Sequence, residues 1–474
     1  MRRLDNFLTL AALASVLWFY HWTVSTSGGF GDPGAGDYYH FLVQGWRQGH
    51  LYLSKEPPPE MVKLADPYDP AQNAPWRLGD ASYFRGHYYL YFGAAPAFLL
   101  MLPYDVITGR DMPVGTAVFV YCVAGFLASA ALWLALRRRY FPESGVLSGA
   151  LGVLVLGFGT HVLALVRRPL VWELPIAAGY AFSMLALLLV YAALHGRRPV
   201  LAITAAALSL GLAVASRPTC LFGAAMFLPP LWWWWRARQT DGTWRKAALG
   251  VAGGMGVCLV AICAHNYARF GNALEFGQRF QVSVFYVSRL HLFSPAYLAH
   301  NAYIYYFSPA HWSAQFPFVA TSTIAGGPTG YLGTETMGGL AGTFPFLWLA
   351  LAVPLAARGG RPGDTGALKP MLAAVVFFYV AVGGLILAFG GATPRYMVDF
   401  APALGLLAAC GWLGLEHWAQ RKGGRRAIAP VALAAGIATA AAGILLSFDY
   451  HARMFHALQP QIWANLEQFF AGKK

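Results

Sequence analysis

The sequence predicts an all-α, polytopic membrane protein, and three observations carry that prediction. Of its 474 residues 57% are hydrophobic and only 11% are charged, against roughly 25% charged in an ordinary soluble domain. The apolar residues come in runs of about 20, the length a helix needs to cross a bilayer. Short basic clusters separate these runs, as expected of loops held on the cytoplasmic side. A soluble chain this apolar could not cover its own surface. A soluble enzyme, a disordered chain and a disulfide scaffold are therefore excluded.

The net charge of +14 is accounted for by those basic loops, and nucleic-acid binding is not expected. Cys122, Cys220, Cys258, Cys263 and Cys410 all lie in apolar stretches. They read as small core residues, not as disulfides or metal ligands.

The elements follow in order. MRRLDNFLTLAALASVLWFYHW has a basic head and an apolar body, with no small-residue cleavage site after it. It reads as an uncleaved first span over 4–22, with Arg2 and Arg3 cytoplasmic. A polar stretch leads to two apolar runs, 88–108 and 112–136, and then to Arg137, Arg138 and Arg139. If both runs crossed, these arginines and every later basic cluster would lie outside. Pro96, Pro103 and Asp105 interrupt the first run, and freed backbone groups are costly in lipid. The reading is that 88–108 is an interfacial or re-entrant element of a large outer loop, 24–111. Further spans are expected at 145–165, 174–194, 200–216, 219–235, 247–265, 336–357, 371–389, 398–415 and 427–448. That makes about eleven in a single membrane domain, 1–474, with the N-terminus cytoplasmic and the C-terminus outside. Trp232 to Trp235 form an interfacial belt before Arg236. A second outer segment, 266–335, is amphipathic and aromatic and is expected to lie along the membrane surface.

The outer loops carry the candidate chemistry. Asp37 opens an amphipathic run just beyond the first span; it is either a general base at the membrane surface or a helix cap. Asp32 is a second acid, although Pro33 and Gly34 after it suggest a turn. Arg85 and His87, in YFRGHYY, are candidates for a phosphate headgroup. VRRPLVWELP supplies Arg167, Arg168 and Glu173, and ASRPT supplies Arg217; each reads either as a solvated hairpin or as an anion site. NYARFGNALEFGQRF contributes Arg269, Glu275 and Arg279. In TPRYMVDF, Arg395 pairs either with Asp399 four residues on or with a ligand phosphate. There is no DxD, P-loop, HExxH or GxSxG. A substrate should therefore arrive already activated, through the membrane.

At the first outer loop the sequence resembles the GT-C superfamily of polytopic membrane glycosyltransferases, which includes protein O-mannosyltransferases and the enzymes that add aminoarabinose to lipid A. Asp37-Tyr38-Tyr39, the run ending Gly49-His50-Leu51-Tyr52-Leu53, and GHYYLYFGAAPAFLLMLP look like that family's acidic loop and its juxtamembrane helices. VWELP, SRPT, NYARFG and TPRYMVDF look like its later outer motifs. Many members carry a Lys before the juxtamembrane prolines, whereas this chain has Gly93-Ala94-Ala95-Pro96. The resemblance implies inverting transfer of a sugar from a polyprenyl-phosphate donor to an acceptor hydroxyl on a lipid, glycan or protein. The reaction would take place on the outer, periplasmic face of a bacterial inner membrane. It casts Asp37 as the base, with Glu173 assisting, and Arg395, Arg217, Arg168, Arg85 and His87 as contacts of the donor phosphate. No cofactor is required by the sequence, and a divalent metal is left open. The alternatives are a transporter or flippase of a lipid-linked glycan, and a non-catalytic scaffold. A transporter should put charges or broken helices near mid-membrane, whereas the acids here sit at outer ends, which weighs against transport.

The topology is testable by labelling single cysteines placed beside Arg138 and Arg198 with an impermeant thiol reagent. Protection at both positions in sealed cells is expected; strong labelling at both would invert the reading.

Overall fold

The computed structural model describes residues 2–31, 37–237, 242–359, 365–422 and 425–471. Asp32 lies outside them. Among the described residues the chain is mainly helical, with short two-stranded pairings confined to the loops. Among the described residues seven helices are long and apolar enough to cross a membrane. These are α1 (Arg2–Thr26), α4 (Val114–Tyr140), α7 (Glu173–His195), α8 (Pro199–Ser216), α10 (Thr243–Phe270), α12 (Thr365–Leu387) and α14 (Arg425–Asp449).

Three of the four remaining expected spans depart from regular long helices. The run at 145–165 splits into α5 (Ser148–Phe158) and α6 (Val162–Arg167), with His161 in the left-handed region at φ 59° between them. The span at 219–235, labelled α9, starts as a 3₁₀ stretch, Pro218–Phe227, and turns α-helical over Leu228–Arg236. The span at 336–357 holds a similar helix, α11, which is 3₁₀ over Pro345–Ala352 and α over Val353–Arg358. Pro218, Pro229, Pro230, Pro345 and Pro354 each remove a backbone donor, which explains the irregular turns. The last of the four, α13 (Ala401–Arg421), is unbroken. The irregular pieces present Met226, Phe227, Phe346 and Leu347 to the core, away from lipid, where loose backbone is tolerated.

The bundle is layered by direct packing. α7 lies between α4 and α8, and α8 is backed by α10; α13 packs on α11 and α12. Val257 and Val260 of α10 remain 66% and 69% exposed. A helix with its apolar side turned outward is suited to lipid contact. α11 and α13 approach very closely at Gly411. A Cβ there would sit 1.9 Å from the Leu349 carbonyl oxygen, so only glycine lets these backbones meet.

Arg137, at the end of α4, pairs with Asp5 near the start of α1 at 3.0 Å. Those two points therefore share one end of the bundle, and everything between α1 and α4 returns to the other end without a net crossing. The segment 88–108 fits that course. It contains the end of a β-hairpin, β1 (Ser82–Phe84) with β2 (His87–Tyr89), followed by α3. α3 is a π turn over Ala97–Met101 that runs on as α-helix over Leu102–Thr108. Twelve helical residues span about 18 Å, too short to cross. Phe98, Val106 and Ile107 of α3 are exposed, as an interfacial helix requires.

The two long loops are laced together over this end. The Asp80 N–H bonds the Val282 carbonyl and the Val282 N–H bonds that of Ala81, both at 2.8 Å. Glu335 N–H reaches Ala392 at 2.9 Å. The second loop is thus a cap of short 3₁₀ turns, hairpin and strand over the bundle rather than one surface helix. The charged residues of interest lie beneath it.

Gly411→Val should lower the detergent melting temperature markedly, since forcing volume into such a contact costs about 1–3 kcal/mol. Thermal unfolding of the purified variant measures this, and an unchanged midpoint would disprove the close contact.

Candidate active site

Three arginines from separate parts of the chain meet three carboxylates. Arg168 donates twice to Glu173 Oε1, at 3.0 and 2.7 Å. Glu173 is in the first turn of α7, where the helix dipole favours an acid. Arg395 pairs with Glu335 of the second loop at 2.8 Å and approaches Glu173 at 3.9 Å. Arg217, at the end of α8, binds Asp399 at 2.6 Å. Arg217 and Arg395 both lie over Tyr396, 4.8 and 5.5 Å from its ring centre. Burial opposes the charge on Arg395, but Tyr396, Glu335 and Glu173 together hold its pKa above the ordinary value. Asp399 does the same for Arg217 against burial.

The pairing of Arg395 with Asp399 weighed from the sequence is not formed. Residues 394–399 are a 3₁₀ helix, in which i and i+3, not i and i+4, stack on one side. Each residue instead takes a partner from elsewhere. The partners differ in accessibility: Glu173 and Asp399 side chains are 1% exposed, Glu335 38%.

Two cavities adjoin the cluster. The first, of about 520 Å³, runs between α3, α8 and α10, with walls including Phe98, Leu208, Leu212, Val257 and Ile262. Its polar end carries His265, Asn266 and Arg269. Arg269 is buried, donating to the Leu90 carbonyl at 2.6 Å and to Asn266 Oδ1 at 2.7 Å. Its Nε and the Nε2 of His265 have no hydrogen-bond partner. The second cavity, of about 430 Å³, is lined by Asp80, Trp172, Gln281, Glu335, Arg395 and Tyr396 among others. Tyr91 lines both. Burial and the nearby Asp80 and Tyr396 push its phenol pKa up, against Arg395 and Arg217. An apolar slot and a charged chamber therefore share one wall residue.

Asp37 caps α2 (Tyr38–Arg47), its carboxylate accepting the Tyr39 N–H at 2.9 Å. The capping role is real, and it leaves a further chemical role open. Burial raises the Asp37 carboxyl to about 6, against its hydrogen bonds from Tyr39 and His40. Asp37 lines neither cavity. The link to the cluster is structural: the Tyr39 hydroxyl donates to the Gly93 carbonyl at 3.1 Å. Gly93 in turn packs on the end of α8, where an added Cβ would lie 2.2 Å from the Ser216 carbonyl oxygen. Arg85 and His87 are not brought to the cluster. They sit at the β1–β2 hairpin tip, Arg85 over Phe84 and His87 stacked on Tyr52 at 3.9 Å.

Asp80, Tyr91 and the Arg269–His265 pair were not among the residues singled out for the site from sequence. Arg269 stood in a quoted motif, and its buried position was the missing signal. Asp80 has no local signal, because its neighbours Gln281 and Ser283 come from 200 residues away. Among the described residues no three His, Cys, Asp or Glu side chains converge as metal ligands. The carboxylates of the cluster, Glu173, Asp399 and Glu335, each hold an arginine.

No protein-family description and no curated protein matches the chain. Among solved structures it is similar to the GT-C membrane glycosyltransferase ArnT from Cupriavidus metallidurans bound to undecaprenyl phosphate, with 14% identity over 95% of this chain and 77% of that one, TM-score 0.44. The apo form of that enzyme gives 16% identity over 96% and 77%, TM-score 0.45. The oligosaccharyltransferase AglB from Archaeoglobus fulgidus, in complex with an inhibitory peptide and a dolichol-phosphate, gives 11% identity over 95% and 55%, TM-score 0.46.

The raised Asp37 pKa has a consequence for stability. In the folded chain the acid holds its proton up to about pH 6, against 3.8 ordinarily. The stability this contributes is full below the ordinary value and is lost as pH rises through 6. Asp37→Asn, which keeps the cap, should therefore melt higher than wild type at pH 8 and alike at pH 4. A gap that is absent at pH 8 would show that Asp37 is not desolvated.

Proposed function

We propose that the chain is a glycosyltransferase that moves a sugar from a polyprenyl-phosphate donor to an acceptor hydroxyl at the outer face of a bacterial cytoplasmic membrane. The observation that carries this reading is the pair of cavities joined at Tyr91. An apolar slot beside a lipid-facing helix suits a prenyl tail. A chamber with arginines suits the sugar phosphate. The phosphate then belongs at the junction, within reach of Arg395 on one side and Arg269 on the other.

Arg395 is the best phosphate contact of the three clustered arginines, because its partner Glu335 is the exposed one and the easiest to exchange. Arg168 and Arg217, tied to deeply buried acids, hold the frame and add positive field. Arg269 supplies a cation to the juxtamembrane segment that lacks Lys, since it bonds the Leu90 carbonyl and lines the slot beside Gly93 and Ala94.

The reaction is a single inverting displacement. The acceptor oxygen attacks the anomeric carbon, forming the new C–O bond. The bond from that carbon to the phosphate oxygen breaks, and its electron pair leaves with the lipid phosphate. Arginines stabilise this departing charge in a water-poor site. We assign the acceptor's proton to Asp37, which stands at the head of α2 outside both cavities, so the acceptor approaches from the α2 side; its pKa of about 6 leaves it mostly ionised yet basic at neutral pH. Glu173 assists by orienting Arg168 and Arg395.

The test is transfer in purified membranes, beside mass spectrometry of envelope glycans and glycolipids with and without the protein. Asp37→Asn and Asp37→Ala should each slow transfer about 100-fold or more, with donor binding kept. A purely capping Asp37 predicts little change for Asn and a stability loss of about 1 kcal/mol for Ala. Arg395→Lys should weaken donor use instead, because Lys keeps the charge but loses the fork. Full activity in Asp37→Asn removes the base assignment; an unchanged envelope on deletion removes the transferase reading.

A further inference from the structure

One acid in the polar cavity has no part in the reaction above. Asp80 lies in the first loop at φ 63°, a left-handed conformation that Asp tolerates better than most residues but that still needs support. The support comes from both sides. Trp172 Nε1 donates to Oδ2 at 3.1 Å, and Gln281 Nε2 and Ser283 Oγ donate to Oδ1 at 3.0 and 2.9 Å. All three donors are neutral, and among the described residues no arginine, lysine or histidine forms a direct ion pair with this carboxylate. That separates Asp80 from Glu173, Glu335 and Asp399, each of which binds an arginine.

A carboxylate has about four acceptor positions. Oδ1 has both filled and Oδ2 has one filled, which leaves one on Oδ2. Asp80 lines the same cavity as Arg395 and Glu335. We infer that Asp80 is a specificity-determining residue that accepts a hydroxyl of the glycosyl group being transferred. The inference rests on the transferase reading and deepens it. A phosphate at Arg395 puts its sugar in this chamber, and a fixed acceptor with one open position selects a sugar that presents a hydroxyl there. The lacing of the two loops at Asp80 and Val282 holds that acceptor in place before the substrate arrives.

Binding of lipids to the purified full chain tests this. The probes are bare polyprenyl phosphate and polyprenyl phosphates carrying glucose, mannose or arabinose. Wild type should bind at least one glycosylated lipid more tightly than the bare one. Asp80→Asn should weaken that lipid about 10-fold or more and leave the bare lipid unchanged. Asp80→Glu keeps the charge but moves it by one methylene, and it should also lose the preference among sugars. If both variants lose bare and glycosylated lipid equally, or lose neither, Asp80 only braces the loops and the inference falls while the donor reading stands. If wild type binds none of the lipids, the donor reading falls and takes this inference with it.

Discussion

Charge that leaves water must be matched, and that constraint organises one whole end of this molecule. Arg168, Arg217 and Arg395 sit where the bundle meets its cap. Each is held by a carboxylate: Arg168 by Glu173 just beyond it at the head of α7, Arg217 by Asp399 before α13, and Arg395 by Glu335 in the second loop. Removing one member of such a pair leaves an uncompensated buried charge, which is far more costly than the pair itself is stabilising. The three pairs therefore fix how α7, α8, the 3₁₀ turn at 394–399 and the cap meet. The cavities are the space left between these fixed parts.

Elsewhere the requirement is met by backbone alone. The long helices satisfy their own N–H and C=O groups, so they need only apolar surface and close contact. The proline-rich pieces at 218–236 and 345–358 cannot do so completely. They are tucked against α12 and α13, with glycine admitting the closest approach at Gly411. One side of each irregular piece thus packs inside the bundle, while Phe222 and Leu351 stay exposed on the other, as do Val257 and Val260 of α10.

The fold class and the course of the chain could be read from the sequence because they depend on run length, proline and charge sorting, all local properties. The non-crossing of 88–108 was legible for that reason: Pro96, Pro103 and Asp105 are visible without any partner. The cluster was legible only in part. Arg168, Glu173, Arg217 and Arg395 stand at span ends, where charge is conspicuous, but only the Arg168–Glu173 pair is local; the partners of Arg217 and Arg395 depend on tertiary contact. Of the two partners weighed for Arg395, Asp399 is excluded because an i, i+4 rule presumes an α-helix, and this turn is 3₁₀. Arg85 and His87 looked suitable by residue type, yet a hairpin carries them away from the cavities. Asp80 was invisible, since its three donors arrive from Trp172 and a loop 200 residues distant.

The distribution of charge also bears on the choice between chemistry and transport. The central parts of α4, α7, α8, α12, α13 and α14 carry no charged residue. A carrier that moves an anionic glycolipid through the bilayer needs polar or broken structure near the middle, where the cost of carrying charge across is met. Here the ionisable groups gather at the two ends. One end has the Asp5–Arg137 pair; the other has the arginine cluster, Arg269, Asp37 and Asp80. The second adjoins the apolar slot beside α10. A substrate with a long apolar tail and a charged head can lie half in that slot and half in the chamber without its head entering the hydrocarbon. An arrangement that holds the head at one surface suits a reaction at that surface better than passage through the bilayer.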